Sequence, residues 1–309
     1  MNTKEFDILV CGEINPDLIL YGDVEPVFGQ VEKLLENAQL AIGSSSVIFA
    51  CGAARLGLRV SFIGKCGEDV FGKFMIEKMQ TSGIDTRYVI VDPDQSTGFS
   101  VILNKGFDRA ILTYPGLISS LKVKDIKDEI LSSTHHLHIA SYFLQTNLQK
   151  GLSGLFQQAR KLHLTISLDT NWDPYESWTG VNELLPYIDV FLPNEAEVCS
   201  LTGLRDLDNA IKELSNRVDT LVAKQGALGA VAVCEGKKYF AKSLPVAVMD
   251  TVGAGDSFDA GFLYGYLKGW DLEKALQLGV ICGSLSTQKI GGTDGQPSLD
   301  EAKAYLSNY

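Results

Sequence analysis

The segment Met249–Ala260, read M-D-T-V-G-A-G-D-S-F-D-A, carries the densest chemistry in this chain. Gly253 and Gly255 can take backbone angles closed to other residues and let a ligand approach the main chain. A helical pattern begins at the same place, over Ser257–Lys268. The free N–H groups that open a helix point at whatever anion lies beyond its end, and the helix dipole helps. Asp256 is out of place in a pure anion site, because a carboxylate repels phosphate. It fits a general base, taking the proton of a substrate hydroxyl while neighbouring amides stabilise a moving phosphoryl group. The string is not a Walker A loop, since no Gly-Lys-Ser/Thr follows. It is not a dinucleotide fingerprint either, since Phe258 stands where the third glycine is needed. A bare Gly-x-Gly would serve equally as a structural helix cap; the full Asp250-Thr251-x-Gly253-Ala254-Gly255-Asp256 string argues for phosphoryl transfer.

Such a segment needs a rigid frame, and the rest of the chain supplies the signs of one. Short β-rich apolar runs occur at Asp7–Cys11, Arg59–Ile63, Leu137–Ala140, Thr165–Leu168, Val190–Leu192, Thr220–Ala223 and Ala230–Cys234. They alternate with helical patterns at Val47–Leu56, Phe71–Ser82, Leu148–Leu162, Leu207–Arg217, Ser257–Lys268 and Leu272–Lys289. This alternation predicts an α/β, doubly wound, mostly parallel sheet with helices on both faces. Near-continuous apolar runs are what parallel strands buried on both faces require.

Two stretches break the alternation. Between Asp17 and Leu40 come β-like pieces, Leu18–Tyr21 and Val31–Leu40. Between Thr97 and Tyr114 come Phe99–Leu103 and Ala110–Thr113, joined through Asn104-Lys105-Gly106 by a turn longer than a two-residue loop. The two stretches fit one small sheet inserted twice into the α/β body over a cleft, or an edge extension of the main sheet.

The Asp250–Asp256 string resembles the C-terminal signature of the ribokinase-like, or PfkB, carbohydrate kinases, and the likeness runs along nearly the whole chain. The resemblance implies a body formed by 1–12, 41–93 and 117–309 and a β-sheet lid formed by 13–40 and 94–116. It implies transfer of the ATP γ-phosphoryl to an alcohol with Mg²⁺, Asp256 as base and the backbone of Gly253, Ala254 and Gly255 as anion hole. Asp250 and Thr251 would shape that loop, with Thr251 also on ATP and Asp250 near a monovalent cation such as K⁺. Gly12-Glu13-Ile14-Asn15-Pro16-Asp17 is similar to the segment whose Asn and Asp meet substrate hydroxyls. Asp17 is favoured, because a carboxylate can accept two hydrogen bonds from a vicinal diol; a turn-forming Asn-Pro-Asp is the plain alternative. Asn194-Glu195-Ala196-Glu197 resembles the Asn-x-x-Glu motif that organises Mg²⁺ and its waters, and a helix N-cap is its plain alternative. Lys224–Gly229 resembles a loop that meets ATP through Lys224, Gly226 and Gly229. Gly291-Gly292 is expected beside the adenine, or as a simple turn.

The chain departs from the family pattern on the acceptor side. Gly43 and Ala54-Arg55-Leu56-Gly57 match its N-terminal signature, but Ser44 replaces a second Gly and Ile48 stands where an Asn grips the sugar. Gly43 and Ser44 are expected at the substrate, with the Ser44–Ser46 hydroxyls compensating for Ile48. In Asp169-Thr170-Asn171-Trp172-Asp173, Asp173 stands where relatives often carry Arg, the residue suited to acidic acceptors. A neutral polyol, sugar or nucleoside is therefore expected. A nucleoside kinase of the same fold and a catalytically idle sugar-binding regulator are the competing readings.

Bulk properties agree. The formal net charge of −11 and the lack of a basic stripe argue against nucleic acid. The N-terminus turns polar after a few apolar residues, unlike a signal peptide, and no run approaches the ~20 residues a bilayer requires, so a cytoplasmic location is expected. The six Cys form no C-x-x-C pair and read as reduced, buried thiols. His135, His136 and His138 lack a carboxylate pattern to complete a metal site and read as structural residues at a strand end. Trp172 and Trp178 fit ring stacking or core packing equally. No Gly-x-Ser-x-Gly elbow points to a hydrolase. The apolar Leu18-Ile19-Leu20 and Phe99–Leu103 runs permit a homodimer paired through the lid.

Overall fold

In the computed structural model, which describes residues 4–105 and 108–307, the apolar runs become strands of one large sheet. The chain opens with β1 (Phe6–Cys11), β2 (Pro16–Tyr21), β3 (Asn37–Ile42), α1 (Ser45–Arg55), β4 (Val60–Ile63) and β5 (Lys65–Gly67). Next come α2 (Val70–Thr81), β6 (Ile90–Asp92), β7 (Phe99–Lys105), β8 (Asp108–Tyr114), α3 (Asp128–Ser132) and β9 (Thr134–Ile139). The middle holds α4 (Thr146–Gln149), α5 (Leu152–Lys161), β10 (Thr165–Leu168), β11 (Val190–Phe191), α6 (Glu195–Thr202) and α7 (Leu207–Ser215). The last part is β12 (Thr220–Lys224), β13 (Ala230–Cys234), β14 (Lys237–Ala241), α8 (Ala254–Leu267), α9 (Leu272–Ser286) and α10 (Leu299–Leu306).

The large sheet runs β14-β13-β12-β11-β10-β9-β1-β4, parallel except where β13 and β14 fold back at one edge. Alternation along each strand divides the core in two. Ile8 and Val10 of β1 pack with α1, α8 and α9 on one face, while Leu9 and Cys11 pack with α5 on the other. The C-terminal ends of β1, β10 and β12 therefore converge, and the residues just beyond them become neighbours. Ligands of open α/β sheets bind at such ends.

The two interruptions form a second, separate sheet in the order β3-β2-β7-β8, so the edge-extension reading falls. Its centre is a parallel β2–β7 pair, with Asp17 opposite Ser100. β7 and β8 pair as far as Lys105↔Asp108, further than the sequence suggested; Gly106 lies outside the described residues. The β-like reading of 31–40 holds only from Asn37 onward. The preceding 22–36 form no strand, and Phe28 and Leu34 there are almost fully exposed.

Other differences have local causes. The helix expected over Leu148–Leu162 is two helices, because Gly151 breaks it and a Cβ there would press on Val123. β14 was not legible because it is a Lys-bearing edge strand rather than an apolar run. The histidines expected at a strand end lie within β9. His136 and His138 lie inside β9, buried, with His136 bonded to Thr165 and Ser167 and His138 to Ser167, all at 2.7 Å. Burial drives the His138 imidazole down to about 3, so it is a neutral core residue. Trp172 and Trp178 pack edge to face with each other, and Trp178 does so with Phe143. All six thiols are free. Among the described residues no helix is long and apolar enough to cross a membrane.

Candidate active site

Helix α8 starts at Ala254, a turn earlier than the periodicity predicts, so Gly255 and Asp256 lie in its first turn. Gly253 caps it in the left-handed region, with φ near +71°. A Cβ on Gly253 would lie 2.8 Å from Gly292 and 2.9 Å from Ile48, so only glycine satisfies both the angle and the packing. Ala254 N donates to Thr251 O at 3.3 Å and Ser257 N to Gly253 O at 2.9 Å; between them the amides of Gly255 and Asp256 open the helix. The Asp250 carboxylate accepts from Val252 N at 3.0 Å and from Gly291 N at 2.9 Å, stapling the loop before α8 to the turn beyond α9.

Asp256 is buried. Burial pushes its carboxyl well above the usual range, and the charges of Asp169 and Glu13 add to this, against Lys224 and a hydrogen bond from Ser45. One turn further along α8, Asp259 meets Lys224 Nζ at 3.0 Å, and the same ammonium reaches Asp169 at 2.9 Å. Burial opposes the Lys224 charge, but the surrounding Asp169, Asp259 and Glu197 hold the ammonium above its ordinary value. Against burial, the Lys224 charge and a hydrogen bond with Asp259 hold Asp169 below its usual value, whereas burial holds Asp259 well above it. Burial and the Asp169 charge push Glu197 up to about 7.

Asn194 and Glu197 are close partners. Asn194 caps α6, its Oδ1 accepting from Glu197 N at 2.9 Å, while its Nδ2 donates to Glu197 Oε1 at 2.7 Å. The helix-cap reading of this pair thus describes its geometry.

Two cavities flank the start of α8. One, of about 480 Å³, is lined by Lys224, Gly226, Gly229, Thr251, Ala254 and Gly255 on its polar side and by Leu244, Val246 and Val280 on an apolar side. The other, of about 500 Å³, is lined by Asn15, Asp17, Gly43 and Ser45 and reaches the small sheet. Burial pushes Asp17 up to about 6, against a hydrogen bond from Ser100 and the charge of Arg109. A Cβ on Gly43 would stand 2.0 Å from Asp17 Oδ1, so glycine is required for that carboxylate to sit where it does.

Expectations for five residues need correction. Ser44 is not on the acceptor cavity: its Oγ accepts from Val47 N at 3.0 Å, capping α1, and donates to Glu13 O at 2.6 Å. Ser46 Oγ is likewise taken, by Glu13 Oε2 at 2.5 Å, so of the three serines only Ser45 lines that cavity. Ile48 faces away, packed against Gly253 and Gly292. Gly292 accordingly lies behind the loop rather than on the first cavity's lining, and Asp173 is turned inward, accepting from the amides of Tyr175, Ser177 and Trp178 and from Ser177 Oγ at 2.8–2.9 Å.

Sequence reasoning missed Glu13, Asp169 and Asp259 as members of the site, whereas Ser45 was among the serines expected there. Glu13 is buried and takes hydrogen bonds from Ser44, Ser46 and Ser141. A signal existed for the carboxylates. Glu13 and Asp169 each follow an apolar strand end, as Lys224 closes another, and Asp259 stands one helical turn after Asp256.

Comparison with known proteins bears on the family and the fold. The profile of the pfkB family of carbohydrate kinases matches residues 6–299. A 5-dehydro-2-deoxygluconokinase of Geobacillus thermodenitrificans is 28% identical over 99% of this chain and 94% of its own length. A ribokinase of Haemophilus influenzae is 30% identical over 97% of this chain and 98% of its own. The crystal structure of a putative ribokinase II from E. coli, in complex with ATP and Mg²⁺, superposes with a TM-score of 0.87 at 23% identity, covering 98% of this chain and 100% of that one.

Proposed function

The chain belongs to the PfkB family of carbohydrate kinases, and from that premise we propose that it moves the γ-phosphoryl of ATP to a CH₂OH hydroxyl of an uncharged sugar or sugar-like molecule. The observation that carries this reading is that Asp256, on the lining of neither cavity, has immediate neighbours on both. Ala254 and Gly255 line one, and Ser45, bonded to Asp256, lines the other. The first suits ATP, its apolar side taking the adenine and the helix N-terminus the phosphates. In the reaction the acceptor oxygen bonds to the γ-phosphorus while the bond to the ADP oxygen breaks in line. The hydroxyl proton passes to the Asp256 carboxylate, and the α8 amides meet the charge on the moving group.

Mg²⁺ bound with ATP would neutralise phosphate charge. The described residues hold no cluster of three His, Cys, Asp or Glu suited to a metal ion. An ion carried by the phosphates and by water fits that donor set, with Asn194 and Glu197, already bonded to each other, reaching it through water. Each oxygen of Asp250 accepts one amide and keeps a lone pair, which fits a monovalent cation such as K⁺ at the loop. The small sheet supplies Ser100, Ile102 and Ile111 to the acceptor cavity, which supports a lid that excludes water on closing. Ile111, Leu112 and Tyr114 on its outer strand are exposed, which supports pairing of two subunits there.

The Geobacillus relative's name points to a gluconate, an acid. Among the described residues the acceptor cavity is lined by Glu13 and Asp17 and by no Lys, Arg or His, which favours an uncharged acceptor. Acceptor-dependent formation of ADP with Mg²⁺, with and without K⁺, tests the proposal; the absence of ADP formation with any sugar would leave the idle regulator. Asp17→Ala is expected to raise KM for the acceptor by about 10–100-fold, the loss of one or two charged hydrogen bonds, with KM for ATP unchanged. Equal effects on both constants would remove Asp17 from the acceptor side.

A further inference from the structure

Glu13 stands just past the end of β1, and its buried carboxylate accepts from hydroxyls and an amide of two other elements. Oε2 accepts from Ser46 Oγ at 2.5 Å, and Oε1 from Ser46 N at 3.3 Å and Ser141 Oγ at 2.9 Å. Ser44 Oγ, which donates to Glu13 O at 2.6 Å, also lies 3.1 Å from Oε1. Gly12 permits this close approach, because a Cβ there would stand 1.9 Å from Ser46 Oγ. The opening of α1 is thus gripped at Ser44 and again at Ser46. Ser45 lies between them, lines the acceptor cavity and bonds Asp256. The remaining bond of Glu13 runs to Ser141, beyond β9, which is held in the left-handed region with φ near +52°. Ser141 Oγ in turn accepts from Asn171 Nδ2, beyond β10, at 2.8 Å. One carboxylate therefore ties the ends of three strands to the start of α1.

We propose that Glu13 is the positioning residue of the catalytic base: by clamping the serines on either side of Ser45, it holds the Ser45 hydroxyl against the Asp256 carboxylate. The inference rests on the kinase reading above, with Asp256 as base, and adds the group that aims it. A hydroxyl donates a single proton, so Ser45 occupies one Asp256 oxygen and leaves the other for the substrate. A carboxylate bonded in this way has a fixed plane, and the oxygen left over meets the acceptor hydroxyl already oriented. Glu13 also acts on Asp256 through its charge, which works with that of Asp169, and against Lys224, to raise the carboxyl. Clamp and charge are separable by mutation, since a glutamine keeps the shape and loses the charge.

The test is steady-state kinetics with Mg·ATP and whichever of ribose, glucose and inosine the wild type phosphorylates best. Glu13→Ala and Ser45→Ala are each expected to lower kcat about 10–100-fold, the scale of a misplaced reacting group, with KM for ATP unchanged. The double variant should lose no more than the worse single one, because both changes free the same hydroxyl. Glu13→Gln should recover most of the Glu13→Ala loss, while the acid limb of its kcat/KM profile moves to lower pH. Losses that multiply in the double variant would overturn the inference. So would a normal kcat in Ser45→Ala, or a Glu13→Ala enzyme altered only in KM for the acceptor, the mark of a direct substrate contact. Should Glu13→Ala fail to fold, Ser46→Ala removes the 2.5 Å bond alone; its kcat should fall too, without adding to the Ser45→Ala loss. Each of these failures leaves the kinase reading standing. Phosphorylation of none of the three acceptors by the wild type would remove both.

Discussion

Asp256→Asn is expected to lower kcat by about 10²–10⁴-fold, the usual reach of a general base, with KM for ATP nearly unchanged. The amide preserves shape and leaves the α8 amides in place but cannot take the hydroxyl proton. Stability should move the other way. Burial, with the charges of Asp169 and Glu13 added, raises the Asp256 carboxyl in the folded protein above its unfolded value. The folded state therefore holds this proton more tightly, and stability falls as pH rises from the unfolded carboxylate value through the folded one. Above that window the wild type carries the full cost of a buried charge, and the Asn variant does not. Near neutral pH the variant should have the higher Tm, and its kcat/KM profile should lose the acid limb that Asp256 sets in the wild type. Calorimetry and a pH–rate series check both; near-normal turnover would end the assignment.

Lys224→Met carries the largest expected effect on stability. The ammonium contacts both Asp169 and Asp259, and both carboxylates are almost wholly buried. Removing it leaves two buried carboxyls without their partner, a loss of about 3–5 kcal/mol for a broken buried pair. Activity should fall too, because the network ties the ends of β10 and β12 to the first turns of α8. The double change Lys224→Met with Asp259→Leu should recover part of the loss, since an apolar replacement of a buried ion set is tolerated better than half of one. A single variant as stable as wild type in chemical denaturation would show that the network carries no stability.

How much of this was legible in the sequence depends on the range of the interactions involved. Apart from the Lys-bearing edge strand β14, the strands of the large sheet are largely apolar, so burial on both faces wrote them into composition. The Gly253–Asp256 loop was legible because its requirements are local: a left-handed angle, close approach and an opening helix. The acceptor side was not, because its side chains are oriented by distant partners. Ser44 and Ser46 look free to meet a sugar until Glu13, far off in sequence, is seen to hold both. Ile48 looks like a lost sugar contact until α1 is seen to turn it towards Gly292. Asp173 looks like a charge at the pocket until its own loop closes around it. The buried Asp169–Lys224–Asp259 set is spread over three elements, and no local pattern joins them.

The parallel pairing of β2 with β7 also sets an order of assembly. All of α1, β4, β5, α2 and β6 lies between these two strands, so their register cannot form until the intervening chain has settled on the large sheet. Non-local pairing of this kind pays its loop-closure entropy before it is rewarded. The nucleotide side, made largely from the C-terminal half and anchored on the large sheet, should therefore be complete while Asp17 and Ser100 are still apart. In pulsed amide exchange during refolding, β12 and α8 should gain protection before β2 and β7; simultaneous protection would argue for one cooperative unit. A refolding chain would then pass through a stage in which it holds ATP but has no means of choosing what receives the phosphate.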